Sequence, residues 1–103
     1  METITIDELK SKILNSNPVH VVDVRTDEET AMGVIPDAET IPMDKIPDNL
    51  SHFNSEETYY IICKAGGRSA QVVQYLERNG IHAVNVEGGM DAWGDEGLEI
   101  KSI

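Results

Sequence analysis

Seven consecutive residues could do chemistry: Cys63, Lys64, Ala65, Gly66, Gly67, Arg68 and Ser69. Cys63 is the only cysteine of the chain. A cysteine acts as a nucleophile in its thiolate form, which is populated at neutral pH only where the surroundings favour negative charge. This segment offers such surroundings. Gly66 and Gly67 let the chain turn tightly, through φ values that other residues adopt at a cost. Lys64 and Arg68 bring positive charge. Where such a turn enters a helix, the first backbone N–H groups converge on one point and favour an anion there. The helix dipole adds up to ~2 kcal/mol in good geometry, somewhat over one pKa unit. The pattern predicts a Cys63 thiol that titrates below the ordinary ~8.5. A lone cysteine is otherwise most often a small buried hydrophobe, but a core cysteine requires neither the glycine turn nor the arginine.

The flanking residues supply the elements that hold this loop. Tyr59, Tyr60, Ile61 and Ile62 form a short apolar run of aromatic and β-branched residues, a core strand ending at Cys63. After the loop, Ala70, Val73 and Leu76 recur at helical spacing with Val72 beside them, while Gln71, Gln74, Glu77 and Arg78 face outward. Gly80 stands where a helix C-terminus commonly places glycine.

The rest of the chain reads as alternating strands and helices. Thr5 and Glu8 form a capping box before a helix carrying Leu9, Ile13 and Leu14, which should stop before Asn17 and Pro18. Residues 19–24 are valine-rich, as a strand covered on both faces requires, with His20 expected to pack among the valines. Thr26 and Glu29 form a second capping box, for a short helix ending near Gly33. Residues 39–43 read as a short strand, and Pro47 suits the first turn of a short helix carrying Leu50 and Phe53. Residues 82–86 form the last strand. Gly88 and Gly89 then turn into a helix with Met90 and Trp93 on one face, Trp93 being expected as a core plug. Residues 94–103 read as a closing tail. Such alternation implies one α/β domain over residues 1–103, three layers with a mainly parallel central sheet and helices on both faces.

Asp23 and Arg25 flank the end of the strand at 19–24. Ligands gather at the carboxyl ends of parallel strands, so this pair should lie near the Cys63 loop. Two roles are compatible: an electrostatic brace, with Asp23 as partner of Arg68, or an ion pair fixing the next turn. His20, His52 and His82 are isolated from one another in sequence and are assigned to neither metal nor catalysis.

Composition bounds the partners. The formal net charge is -11, from 19 acidic and 8 basic residues. A nucleic acid or an anionic membrane surface would require a basic footprint instead. A small anion would have to be drawn by a local field at the loop. A single cysteine makes no internal disulfide framework. With no signal-like or membrane-spanning stretch, this favours the cytoplasm.

Residues 63–69 resemble the active-site loop of rhodanese-family sulfurtransferases. Two flanking stretches agree: Asp23-Val24-Arg25 with Glu28, Glu29 and Gly33-Val34-Ile35-Pro36-Asp37-Ala38 upstream, and Val86-Glu87-Gly88-Gly89-Met90-Asp91-Ala92-Trp93 downstream. The likeness spans nearly the whole chain in the right order. Three positions depart from the family pattern. The family usually has an aromatic at Thr30, a histidine at Val34 and a glycine at Asp37, which bears on the entrance of the site.

The resemblance implies a rhodanese-like fold and a two-step reaction. The Cys63 thiolate takes the sulfane sulfur of a donor such as thiosulfate. Backbone N–H groups of residues 64–69 then hold the charged outer sulfur of the persulfide. A thiol or a protein acceptor removes that sulfur, and neither metal nor organic cofactor is called for. Loop length favours this over phosphoryl or arsenate chemistry. Four residues separate Cys63 from Arg68, where cysteine phosphatases and arsenate reductases use one more to cradle a tetrahedral anion. Two other roles stay open on the same fold: a persulfide carrier serving a protein partner, and a catalytically silent binding module.

Overall fold

A computed structural model of the chain describes residues 1–15 and 19–94. Among these, five strands form one wholly parallel sheet: β1 (Glu2–Ile4), β2 (His20–Asp23), β3 (Glu39–Thr40), β4 (Thr58–Ile62) and β5 (His82–Val86). Their order is β1-β5-β4-β2-β3. Successive side chains of a strand point to opposite faces, so every central strand feeds two cores. On one face Val22, Ile61 and Ala83 pack with Val72, Val73 and Leu76 of α3 (Gly67–Arg78). On the other, Val21, Ile62 and Val84 meet Leu9 of α1 (Ile6–Leu14) and Met90 of α4 (Gly89–Trp93). The domain is therefore the three-layer α/β arrangement expected from the strand and helix alternation.

Both capping boxes form as the spacing requires. The Thr5 hydroxyl accepts from the Glu8 N–H at the start of α1, and the Thr26 hydroxyl from the Glu29 N–H at the start of α2 (Asp27–Thr30). Several details differ from the sequence reading. Helix α1 does stop where expected, at Leu14 ahead of Asn17 and Pro18, which like residues 95–103 lie outside the described residues, but its packed face differs. Its buried face is Ile6 and Leu9, and Leu14 is exposed. His20 is also exposed. It pairs with Glu57 at 3.0 Å, so it is not packed among the valines. Strand β3 spans only Glu39–Thr40, shorter than expected. Ile41 and Met43 still donate to the carbonyls of Asp23 and Val24. Pro47 opens a 3₁₀ turn over Pro47–His52, with Phe53 buried just beyond it.

No helix among the described residues is long and apolar enough to cross a membrane.

Candidate active site

Cys63 lies at the carboxyl end of β4, where the chain leaves the sheet. The strand pairs with β2 up to Asp23 opposite Ile62, which brings Asp23, Arg25 and the Cys63 loop to one end of the sheet. Gly66 turns the loop with φ of 109° and serves as N-cap of α3. A side chain at this φ would be strained, so glycine is required. Gly67 is different: its φ is not positive and nothing lies within 4 Å of where a Cβ would stand. The expectation that both glycines supply special φ values holds for Gly66 alone.

The turn wraps the sulfur. The N–H of Gly66 donates to Cys63 Sγ at 3.1 Å and that of Ser69 at 3.3 Å. The Ser69 hydroxyl lies 3.3 Å from the same sulfur. Burial pushes the Cys63 thiol up, but the Ser69 hydroxyl and the N–H groups of Ser69, Gly66 and Ala65 outweigh it and leave the thiol below its ordinary value. The Lys64 and Arg68 side chains, expected to share in this, are paired elsewhere, although the Arg68 charge still interacts with Cys63.

Lys64 Nζ meets Asp91 of α4 at 3.0 Å. Arg68 donates to both carboxylate oxygens of Glu29 in α2, at 2.6 and 3.0 Å. This corrects the proposed pairing of Asp23 with Arg68. The Asp23 carboxylate instead accepts from the backbone N–H, Nε and Nη2 of Arg25. Arg25 donates also to the Gly33 carbonyl at 2.8 Å. Asp23 and Arg25 thus form a buried pair that ties the end of β2 to the turn after α2, the second of the two roles considered. At the departures from the family pattern, Thr30 and Val34 are buried, and Asp37 holds φ of 66°, which a glycine would adopt without strain.

Three contributors escape a reading by residue type. Asn85 sits in the buried run of β5 with its Oδ1 2.5 Å from the Ser69 hydroxyl oxygen, holding that hydroxyl beside the sulfur and competing with the thiolate for its one proton. A polar residue inside an apolar strand is the signal that could have found it. Glu29 has two jobs: its Oε1 closes the capping box by accepting from Thr26, and the same carboxylate clamps Arg68. Only the first is local enough to see in sequence. Gly89 lets α4 approach so closely that the Met90 N–H donates to the Cys63 carbonyl at 2.8 Å and the Asp91 N–H to the Lys64 carbonyl at 2.9 Å. Trp93 packs half-buried against the second core, with Lys10 Nζ 4.9 Å above its ring.

Two expected results follow from these contacts. Ser69→Ala removes the largest group holding the thiol down, so the midpoint of the pH profile for iodoacetamide alkylation should rise and the rate at neutral pH should fall. An unchanged midpoint would mean that the hydroxyl is not coupled to the sulfur. The Glu29 carboxyl is held down to about 2 by the Arg68 guanidinium, against some burial and with help from Thr26. A lowered carboxylate stabilises the fold in full above its unfolded value near 4.5 and loses that contribution as the pH falls towards 2. Allowing for solvent screening, about 1–2 kcal/mol should be lost over that window. Denaturant melts of Glu29→Gln should show a correspondingly flatter decline; a slope equal to the wild type would remove the clamp.

The comparisons with known proteins agree with this fold. The sequence matches the family described as "Rhodanese-like domain" over residues 5–96, and the chain belongs to that family. It is 42% identical to "Putative sulfurtransferase YtwF" of Bacillus subtilis, covering 93% of each chain. It is 38% identical to "Sulfurtransferase" of Allochromatium vinosum, covering 91% of this chain and 89% of that one. The crystal structure of a rhodanese-like domain protein from Staphylococcus aureus superposes with a TM-score of 0.95 at 72% identity, over 99% of this chain and 100% of that one.

Proposed function

We propose that this protein is a sulfurtransferase that carries sulfane sulfur as a persulfide on Cys63. The observation that carries the reading is the sulfur itself, ringed by the N–H groups of Gly66 and Ser69 and the Ser69 hydroxyl while Cys63 is only 1% exposed. A sulfur so covered is reached by a single terminal atom, such as the outer sulfur of thiosulfate or of a persulfide. It is not reached by a tetrahedral phosphate. Arg68 supports the same conclusion, since a phosphatase needs its guanidinium turned inward on the anion and here Glu29 holds both of its ends.

In the first step the Cys63 thiolate attacks the donor's terminal sulfur. A new Sγ–S bond forms and the donor's S–S bond breaks, with the electron pair leaving on sulfite or on a thiolate. The outer sulfur of the persulfide bears the negative charge. The loop N–H groups are fixed before the reaction, so little reorganisation is needed to hold it. An acceptor thiolate, on a small molecule or a protein, then takes that sulfur and regenerates the Cys63 thiolate. The charge passes between sulfurs throughout, and the balance requires no redox partner. The named relatives support transfer of sulfur in general; the persulfide on Cys63 is the reading drawn from this site.

The test is intact-mass analysis of protein incubated with a sulfane-sulfur donor. Cys63 should gain one sulfur atom and lose it to excess thiol. A protein that gains no sulfur from any such donor would overturn the reading.

A further inference from the structure

One hydroxyl proton in the site has more acceptors than it can serve. Ser69 is fully buried, and its Oγ lies 3.3 Å from Cys63 Sγ, 3.1 Å from the Gly66 carbonyl oxygen and 2.5 Å from Asn85 Oδ1. Asn85 is also buried, on β5 next to Ile61 of β4. Its Nδ2 faces the Gly66 carbonyl at 3.4 Å, which turns Oδ1 towards Ser69. That carbonyl already accepts from the Ala70 N–H. The contest for the Ser69 proton is therefore between Asn85 and the sulfur, and the state of the sulfur decides it. A thiol can donate its own proton to Ser69 Oγ while the hydroxyl donates to Asn85, and all three groups are satisfied. A thiolate has no proton to give and, being charged, is the stronger acceptor, so it draws the hydroxyl away from Asn85. In a persulfide the charge sits on the outer sulfur, Sγ is a weak neutral acceptor, and the hydroxyl turns back to the amide.

We propose that Asn85 is a positioning residue that holds the Ser69 proton while Cys63 is a thiol or a persulfide and yields it only to the thiolate. Acting through Ser69, it stabilises both capped forms of the sulfur against the free thiolate. Two linked consequences follow. Asn85 keeps the thiol from falling as low as the Ser69 hydroxyl would otherwise take it, and it favours the sulfur-loaded protein over the unloaded one. The second consequence rests on the sulfur-transfer reading above. In that step the thiolate lone pair becomes the Sγ–S bond and the donor's bond to the same sulfur breaks. With thiosulfate as donor, the electron pair of that bond leaves on sulfite. The Ser69 hydroxyl only rotates and transfers no proton. The charged groups around the loop are untouched by a substitution at Asn85: Arg68, which feels the Cys63 charge, is held by Glu29, Lys64 by Asp91 and Asp23 by Arg25.

The experiment is a double-mutant cycle on Ser69 and Asn85, read first by the pH profile of iodoacetamide alkylation. Asn85→Ala should lower the midpoint by about one pH unit, the worth of one hydrogen bond to the thiolate, whereas a merely loosened loop would raise it. Asn85→Asp keeps the acceptor and adds a negative charge, so its midpoint should lie above the wild type. In a Ser69→Ala background, Asn85→Ala should leave the midpoint in place. The second readout is the loaded fraction by intact mass, with thiosulfate and sulfite at a fixed ratio and a pH above both midpoints. The ratio of loaded to free Cys63 should fall about tenfold in Asn85→Ala, the same factor as the midpoint shift, and should not change in the Ser69→Ala background. Should Asn85→Ala melt early, Asn85→Val suits the strand and removes the same acceptor. A midpoint that rises or stays put in Asn85→Ala, or falls equally without Ser69, would overturn the role of Asn85 and leave sulfur transfer standing. A midpoint that falls while the loaded ratio holds overturns the persulfide half of the proposal. A wild type that gains no sulfur from thiosulfate or an alkyl persulfide overturns the sulfur-transfer reading and that half with it, and the alkylation arm decides the other half.

Discussion

Cys63→Ser should load no sulfur and turn over no sulfane-sulfur donor, while folding as the wild type does. The sulfur is the atom on which the loop converges, and no second cysteine exists in the chain to replace it. A serine hydroxyl at neutral pH is almost wholly protonated and forms no persulfide. Its oxygen can still accept from the Gly66 and Ser69 N–H groups, so the loop keeps its hydrogen bonds and stability should stay within about 1 kcal/mol of wild type. The measurements are sulfur transfer from thiosulfate or an alkyl persulfide to cyanide, and a thermal melt on the same preparation. Turnover like the wild type in a folded Cys63→Ser protein would end the proposal that Cys63 is the nucleophile. A variant that fails to fold would be replaced by Cys63→Ala, which removes the reactive atom without adding a polar one to the core.

The sequence made the loop legible because its signals are local. A strand of Tyr59 to Ile62, a glycine that must take positive φ and a helix with Val72, Val73 and Leu76 on one face each declare themselves within a few residues. The capping boxes at Thr5 and Thr26 are local in the same way. The charge partners are not. Residue types alone set Asp23 and Arg25 near the loop that carries Lys64 and Arg68, offer Asp23 as the partner of Arg68, and point to neither Glu29 nor Asp91. Asp23 reaches Arg25 because the two side chains leave the end of one strand together, and that pairing leaves Arg68 to a carboxylate 39 positions earlier in the chain. The consequence is functional. Cations read from the sequence as steering charges are neutralised in the fold, and the thiol is lowered by hydrogen bonds from the loop. Leu14 and His20 fail for a simpler reason. Each sits at the end of its element, where the periodicity still predicts a buried face but little lies opposite to cover it.

Gly89→Ala should disrupt this site from the far side of the loop. Gly89 has φ of 56°, a conformation that costs an L-residue roughly 1–2 kcal/mol. The added Cβ would stand 2.3 Å from the Cys63 carbonyl oxygen and 2.6 Å from that of Lys64. Both obstacles are backbone, so neither can swing aside, and α4 must lift off the loop. Lifting breaks the bonds from the Met90 and Asp91 N–H groups to those two carbonyls, each contributing roughly 0.5–1.5 kcal/mol. Together these terms come to about 3 kcal/mol or more, which in a domain of this size lowers the melting temperature by roughly 15 °C. The effect should reach the chemistry as well. In a planar trans peptide the carbonyl and the following N–H point in opposite directions. Anchoring the Lys64 carbonyl on α4 therefore aims the Ala65 N–H away from α4, and that N–H is one of the groups that hold the Cys63 thiol down. Well below its melting temperature, Gly89→Ala should alkylate more slowly at neutral pH and with a higher midpoint than the wild type. Gly67→Ala is the control: its Cβ would meet nothing within 4 Å, so the melting temperature should hardly move. If Gly89→Ala melts and alkylates as Gly67→Ala does, the docking of α4 does not support the loop.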